Sequence, residues 1–162
     1  MLPEVARMVL AEKELNVDSL RADIEVVDDY QQSIAIRQVA EEKKYESFVS
    51  DRSLLDALAY SAQHSRVVSS IISNEEVDAE NYIANIKSPD TVIFFVRPSK
   101  SIMKQDGVRE TLNWDGCVAI DAMIKLLLEL WEVKYFQINM DSMQERIRFV
   151  EGVLSLLHVP AF

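Results

Sequence analysis

The chain has 162 residues, of which 49% are hydrophobic and 27% charged, values that exclude disordered and collagen-like classes. Its formal net charge is -10 and no cluster of lysine or arginine is dense, so polymeric nucleic acid is not an expected partner. The lone cysteine forms no internal disulfide, and neither an apolar run of about 18 residues nor a secretory signal occurs. We therefore expect one cytoplasmic domain over residues 1–162 that does not insert into membranes.

Helices dominate the first half of the predicted elements. Pro3 suits the first turn of a helix, and Val5, Met8 and Val9 continue it with helical spacing to about residue 15. Between residue 20 and about residue 45, apolar positions recur with helical spacing among many charges, which predicts one long amphipathic helix or two joined ones. The apolar run "SFVSD" at residues 47–51 then predicts the first strand, and Ser53 can cap the helix that follows it.

Strands and helices alternate in the second half. Two more helices are predicted near residues 67–72 and 75–86. The run "TVIFFV" is β-branched and aromatic without alternation, which predicts a strand covered on both faces. A polar connection at residues 99–114 leads to an amphipathic helix, the strand "KYFQIN" and a last helix at residues 142–158. The predicted class is α/β, with a mainly parallel sheet flanked by helices.

The pair Asp51 and Arg52 ends the first predicted strand. Ligands of open parallel sheets bind at the carboxyl ends of the strands, so polar residues at such an end are well placed for chemistry. Asp51 could hold a metal ion or accept a proton from a substrate hydroxyl, and Arg52 could balance anionic charge. The structural alternative is that Asp51 pairs with its neighbour or caps the next helix.

A second candidate is the segment "KQDGVRET" at residues 104–111. Gly107 allows a sharp bend in the backbone, and nearby cations could contact phosphate oxygens. These cations are Arg97, Lys100, Lys104 and Arg109. The alternative here is a solvated turn without a specific ligand.

Glu4 and Arg7 lie three residues apart on the first predicted helix. A pair with this spacing is usually a surface ion pair that contributes only ~0.2–0.5 kcal/mol. The two histidines, His64 and His158, are too far apart in sequence to predict a metal site by themselves. No nucleophile elbow, zinc-binding helix or paired-cysteine motif occurs.

Five segments, taken in order, resemble one known family. They are "PEVARMVL", "FVSDRSLLDALAYS", "DTVIFFVRP", "QDGVRET" and "KYFQINMDSMQERIRFVEGVL". Together they resemble the P-loop kinase-like family that includes the ribosylnicotinamide kinase domain and related AAA-type ATPases of bacteria and phages. The resemblance covers nearly the whole chain. It implies a thymidylate-kinase-like P-loop fold that uses ATP and Mg²⁺ to transfer a phosphoryl group to a small nucleoside or nucleotide.

The resemblance also implies roles for residues on the acceptor side of such a site. Asp51 would lie near the magnesium ion and the phosphoryl acceptor, and Arg52 would lie beside it. Glu4 and Arg7 match a segment that borders the acceptor pocket, which makes them candidates for substrate binding. All four would then belong to one crevice.

A lid over the nucleotide, at about residues 99–114, is the other part that the resemblance implies. Arg109 would close over the ATP phosphates as a catalytic and cofactor-binding residue. Asp106 and Gly107 would shape the lid around that cofactor.

The chain departs from this family at the phosphate-binding loop. It contains no G-x-x-x-x-G-K-[ST] pattern, because neither Gly107, Gly116 nor Gly152 is followed by Lys and Ser or Thr. We therefore expect the N-terminal strand and the phosphate loop to be missing. In this fold that strand is central, so its neighbours would each lose a ladder partner.

Three hypotheses follow. The first is a nucleoside or nucleotide kinase whose phosphate loop lies outside these residues, so that the chain alone is inactive. The second is a degenerate, non-catalytic member that acts as an interaction or assembly module, with its incomplete sheet covered by another copy or a different protein. The third is an α/β scaffold unrelated to kinases.

Overall fold

The computed structural model describes residues 1–101 and 113–159, which form an α/β arrangement. Eight helices and two strands occur in these residues. In chain order they are α1 (Val5–Glu12), α2 (Val17–Ala22), α3 (Ile24–Glu42), α4 (Leu54–His64), α5 (Val68–Ile72), α6 (Ala79–Ile86), β1 (Phe94–Val96), α7 (Trp114–Leu130), β2 (Phe136–Ile138) and α8 (Met143–Leu156).

Helix α3 is the centre of the helical part, because α1, α2, α4 and α5 all pack against it. The predicted long helix is two joined helices, separated at Asp23, whose carboxylate accepts a hydrogen bond from the Glu25 N–H and so caps α3. The buried side chains between α3, α4, α5 and α6 form what we call the helical core. Its members are Ala35, Val39, Leu54, Ala57, Leu58, Ile71, Val77, Ala79 and Tyr82.

The sheet consists of β1 and β2, which run parallel and are connected through α7. The pairs in register are Phe94 with Phe136, Phe95 with Gln137 and Val96 with Ile138. The predicted α/β class with a parallel sheet is therefore confirmed. A smaller core lies between β1, α4 and α7, and it consists of Leu55, Phe95, Leu128 and Val133.

The predicted first strand, at residues 47–51, is wrong. The segment is irregular, and its backbone makes one strand-like contact, in which the Leu2 N–H donates to the Val49 carbonyl at 2.8 Å. Phe48 and Val49 are 40% and 39% exposed. A strand needs a continuous ladder of hydrogen bonds, and the sheet formed by the described residues offers this segment no neighbouring strand.

The prediction that the "TVIFFV" strand is covered on both faces is also wrong. Within β1, Phe95 is 5% exposed whereas Val96 is 53% exposed. The face of the strand that carries Phe95 is packed, and the face at Val96 is exposed, so an apolar run does not require two buried faces here.

Among the helices in the described parts of the chain, none combines the length and the apolar character that a membrane span requires.

Candidate functional site

A groove of about 280 Å³ lies between the start of α4, strand β1 and one side of α7. Residues 51–53 precede α4 and form part of its wall. Strand β1 lines the groove and β2 does not, so the groove lies on the side of β1 away from β2. Its apolar lining includes Leu55, Ile93, Ile120, Ile124 and Leu128, and its ionisable lining includes Asp51, Arg52, Asp56 and Asp121.

Asp51 is exposed and lines this groove. Its carboxylate accepts no hydrogen bond from the described residues. One structural alternative for Asp51 was that it caps the next helix, but Ser53 is the N-cap residue of α4, as predicted, and Asp56 completes the cap. The other was that it pairs with its neighbour, and Arg52 does attract it electrostatically. Apart from the attraction of Arg52, the Asp51 carboxylate is therefore available to a ligand.

Arg52 is held at the edge of the groove by two neighbours on α4. Its Nη1 lies 3.2 Å from the Asp56 carboxylate, and its guanidinium carbon lies 5.7 Å from the centre of the Tyr60 ring. Burial disfavours the charged guanidinium, but Asp56, Tyr60 and Asp51 together outweigh that effect and raise the pKa of Arg52 above its ordinary value. Its side chain is 42% exposed, so the ion pair with Asp56 contributes no more than about 1 kcal/mol.

Gln38 of α3 fixes the path of the backbone at Arg52. This buried side chain donates from Nε2 to the Arg52 carbonyl at 3.1 Å and to the Ser50 hydroxyl oxygen at 3.2 Å. The Ser50 hydroxyl also donates to the Arg52 carbonyl, at 2.6 Å. These bonds replace the ladder that a strand would have supplied, and they position Asp51 between two anchored residues.

The same network continues through Glu42 to the start of α4. Gln38 Nε2 donates to the Glu42 carboxylate at 2.7 Å, and the Tyr82 hydroxyl donates to it at 3.3 Å. The Leu54 N–H donates to the Tyr82 hydroxyl oxygen at 3.2 Å. Burial raises the pKa of Glu42, although the hydrogen bonds from Gln38 and Tyr82 oppose this shift.

Asp121, which lines the α7 side of the groove, belongs to a second ion pair that sequence reasoning missed. Arg97, directly after β1, places Nε at 2.7 Å from the Asp121 carboxylate of α7, and this aspartate side chain is 5% exposed. Arg97 was predicted only as one of several cations near a loop. The available signal for Asp121 was an acid within the apolar run "CVAIDAMIKLL".

The predicted lid lies largely outside the described residues, and so do Asp106, Gly107, Arg109 and Lys104. At its start, the Ser99 hydroxyl donates to the Asp141 carboxylate at 2.6 Å, and Asp141 follows β2. Lys100 Nζ lies 4.9 Å from the centre of the Trp114 ring. This contact brings together the two ends of the segment that holds residues 102–112.

Glu4 and Arg7 form an ion pair, with Arg7 Nε 2.8 Å from the Glu4 carboxylate. Neither residue lines the groove. The hydrogen bond from Leu2 to Val49 nevertheless places the beginning of the chain beside the segment that leads to Asp51. The structure thus brings Asp51 and Arg52 into one groove and leaves Glu4 and Arg7 outside its lining.

The described residues fit only part of a site for ATP and Mg²⁺. None of their His, Cys, Asp and Glu side chains form a group of three or more that could hold a metal ion. Mg²⁺ is usually bound by one or two carboxylates together with substrate phosphates, a requirement that Asp51 fits. The sequence does not contain the glycine-rich loop that holds phosphates in P-loop proteins, because none of its three glycines is followed by Lys and then Ser or Thr.

Comparison with known proteins identifies the family. A family model described as an AAA domain matches residues 1–146, a range that contains both strands and all residues lining the groove. No match was found among the curated proteins or among the solved structures. The chain therefore belongs to the AAA domain family, whose members are P-loop-type nucleotide-binding proteins.

Proposed function

We propose that the chain forms the acceptor side of an ATP-dependent phosphoryl-transfer domain like that of ribosylnicotinamide kinase, with a small nucleoside or nucleotide as acceptor. The observation that carries this proposal is the free carboxylate of Asp51 in a groove beside the cationic Arg52. Membership of the AAA domain family supports it, because that family handles nucleotides.

In this proposal Asp51 acts on the acceptor. Its carboxylate accepts the proton of the acceptor hydroxyl while the new O–P bond forms and the bond to the leaving phosphate oxygen of ATP breaks. The same carboxylate contributes to the Mg²⁺ site. Arg52 stays charged throughout, because the two carboxylates beside it favour the protonated guanidinium. This positive charge attracts the anionic phosphate groups. ATP, when bound, supplies the transferred phosphoryl group.

Two further groups of residues complete the proposed site. Arg109 closes over the ATP phosphates, and Asp106 and Gly107 shape the lid that carries it. Glu4 and Arg7 border the acceptor. The glycine-rich cradle for the phosphates comes from residues other than these 162.

The test is a thermal-unfolding titration of the chain with Mg-ATP, Mg-GTP and a panel of nucleosides and nucleoside monophosphates. A ligand that binds only the folded chain stabilises it by about 2.7 kcal/mol at a hundredfold excess over its Kd. We expect an acceptor from the panel to raise the unfolding temperature. Asp51→Asn should weaken that acceptor's affinity by about tenfold, which corresponds to roughly 1.4 kcal/mol.

The matched control is Asp90→Asn, which removes the charge of an exposed aspartate that does not line the groove. This variant should bind the acceptor like the wild-type chain. Equal loss of affinity in both variants would mean that only the net charge matters. Failure of every panel member to stabilise the wild-type chain would contradict the proposed acceptor site.

The second candidate function is a non-catalytic interaction module. The observation in its favour is that the sheet of the described residues has only two strands. Beside β1, where a larger sheet would have a third strand, there is an apolar groove that a partner could cover. This candidate predicts no stabilisation by any nucleotide and a protein partner at the groove. The same titration therefore separates the two functions.

A further inference from the structure

Asp121 is a buried carboxylate in the lining of the groove. Its side chain is 5% exposed, and its neighbours in the lining on α7 include the apolar residues Ile120, Ile124 and Leu128. A buried ion pair adds little net stability compared with apolar side chains of similar size. Stability alone therefore gives no physical reason for a charged group at this position.

Arg97 holds this carboxylate by one of its two oxygens. Arg97 Nε donates to Asp121 Oδ1 at 2.7 Å. The main chain of Arg97 is itself held on both sides, because its N–H donates to the Ile138 carbonyl at 2.8 Å and its carbonyl accepts from Arg146 Nη2 at 3.0 Å. The position of the Asp121 carboxylate is thus fixed before a ligand binds.

The second oxygen of Asp121, Oδ2, accepts no hydrogen bond from the described residues and is not fully buried. Because Asp121 lines the groove, this oxygen is available to a ligand there. Arg97 directly follows β1, so the ion pair lies at the carboxyl end of that strand, where ligands of parallel sheets bind. The groove therefore offers a fixed hydrogen-bond acceptor in addition to Asp51.

The charges around Asp121 specify the chemical group that fits it. An anionic group is repelled there, because the described lining carries three carboxylates and only one guanidinium. A cation is not required, because Arg97 already balances the charge of Asp121. A neutral donor remains, and a hydroxyl group donates a short, strong hydrogen bond to an ionised carboxylate.

We propose that Asp121 binds the phosphoryl acceptor by accepting a hydrogen bond from the 2′ or the 3′ hydroxyl group of its sugar. Arg97 is the positioning residue, since it orients the carboxylate without lining the groove itself. Asp51 takes the proton of the reacting hydroxyl, and Asp121 holds another hydroxyl of the same sugar. The groove therefore selects ribose over a deoxyribose. This inference rests on the proposed function, because it requires a nucleoside or nucleotide in the groove.

The test is isothermal titration calorimetry of the chain with adenosine, guanosine, cytidine and uridine, and with the 2′-deoxy and 3′-deoxy analogues of each. A buried acceptor that loses its donor stays unpaired, so a site of this kind rejects an analogue that lacks the hydroxyl. We expect a ribonucleoside that binds to lose at least about tenfold in affinity when one of its two hydroxyls is removed.

Variants of Asp121 assign this ribose preference, the ratio of the two affinities, to its carboxylate. The double variant Arg97→Met with Asp121→Leu leaves neither charge unpaired, so it should fold and bind both forms within about twofold of each other. Asp121→Asn keeps the shape of the side chain and should lower the ratio by at least about threefold. The control Asp115→Asn, at an exposed aspartate of α7 outside the lining, should keep the wild-type ratio.

The same ratio tests the positioning role of Arg97. Arg97→Met leaves the Asp121 carboxylate without its partner and should lower the ratio by at least about threefold. Arg97→Lys restores a cationic donor and should recover part of the ratio. A purely structural role would change both affinities equally, so an unchanged ratio in Arg97→Met would overturn the positioning role.

The outcomes separate this inference from the proposed function. If no nucleoside or nucleotide binds the wild-type chain, the proposed acceptor site is contradicted and the role of Asp121 with it. If nucleosides bind and Asp51→Asn weakens them, but ribose and deoxyribose forms bind alike, only the role of Asp121 is overturned. The same conclusion follows if the double variant keeps the full ribose preference.

Discussion

The helices α1–α6, here called the helical half, and the elements β1, α7, β2 and α8, here called the sheet half, differ in how completely their apolar side chains are buried. Around α3, the side chains of Leu54, Leu58, Ile71 and Val77 are almost fully buried in one continuous core. On the helices of that half, the exposed large apolar side chains of the described residues are Ile24 and Ile72, whereas more such side chains are exposed on the strands of the sheet half, on its helices and directly after α8. They are Val96, Val118, Leu126, Leu130, Phe136, Met143, Ile147, Leu156 and Leu157.

This difference separates the sources of stability from the surfaces available for binding. Apolar burial contributes about 25 cal/mol per Å² removed from water, and the larger of these two buried clusters is the helical core. The groove lies where the closed half meets the open half, between α4 and β1. Its wall on the α4 side is therefore backed by the helical core, whereas no strand of the described residues pairs with the β1 edge on the other side.

The largest expected effect is on the helical core. Leu58→Ala removes a side chain that is 1% exposed and leaves a cavity, which should lower the free energy of unfolding by about 2–5 kcal/mol. Leu126→Ala, at an exposed leucine of α7, should change it by less than about 0.5 kcal/mol. Urea unfolding of both variants measures the contrast. Similar losses in the two variants would show that the halves are equally closed.

The ion pair on the wall of the groove comes next. Arg97→Met leaves the buried Asp121 carboxylate unpaired, which should cost about 3 kcal/mol of unfolding free energy. The double variant Arg97→Met with Asp121→Leu removes both charges, so most of that loss should be recovered. Chemical denaturation of the single and double variants measures the coupling. Additive losses would mean that the two side chains do not interact.

A matched pair of tyrosines compares polar contacts in the two halves. Tyr82→Phe removes the buried hydroxyl that bonds to Leu54 and Glu42, and it should cost about 1–2 kcal/mol. Tyr135→Phe removes an exposed hydrogen bond to Glu129, whose groups water can satisfy, and should cost less than about 0.5 kcal/mol. Thermal unfolding of both variants tests this ranking, which equal costs would contradict.

The smallest expected effect is a pH dependence at Glu42. Burial raises the pKa of its carboxyl above the ordinary value of 4.5, so the folded chain binds this proton more readily than the unfolded chain does. The contribution to stability is therefore present below pH 4.5 and is lost as pH rises through the raised pKa. Glu42→Gln keeps the acceptor oxygen and removes the titration.

The measurement is the difference in unfolding free energy between Glu42→Gln and the wild-type chain across that pH range. Relative to the wild type, the variant should become more stable as pH rises. The other carboxylates titrate in both proteins and cancel from this difference. A difference that does not change with pH would show that Glu42 keeps its ordinary pKa in the folded chain.

Most of the helices could be predicted from the sequence because they have their own periodic signals and end signals, but the short helix α2 and its boundary with α3 at Asp23 were not predicted. Ser53 as the cap of α4 is an example, and so is the start of α8 beside Ser142. The strand at residues 47–51 could not be predicted correctly. Strand propensity is local, but a strand exists only where a second backbone lies alongside it.

The candidate site divides in the same way. Asp51 and Arg52 could be selected from the sequence, because an acid and a base follow an apolar segment before a helix. The contacts of Gln38 with Arg52 and of Asp121 with Arg97 could not be predicted, because each joins residues more than ten positions apart. The residues that flank Gln38 and Asp121 in the sequence do not indicate which distant residues these side chains contact.

By itself, the sequence determined the alternation of helices with short apolar strands, the parallel α/β class and the segment that carries Asp51. Hydrophobic periodicity and capping act between neighbours in the chain, and these features follow from them. Only the tertiary structure decided that residues 47–51 stay out of the sheet, that β1 pairs with β2 alone among the described strands and that a groove forms beside β1. Each of these depends on which backbone or side chain lies alongside another across long stretches of chain, and that is settled by packing.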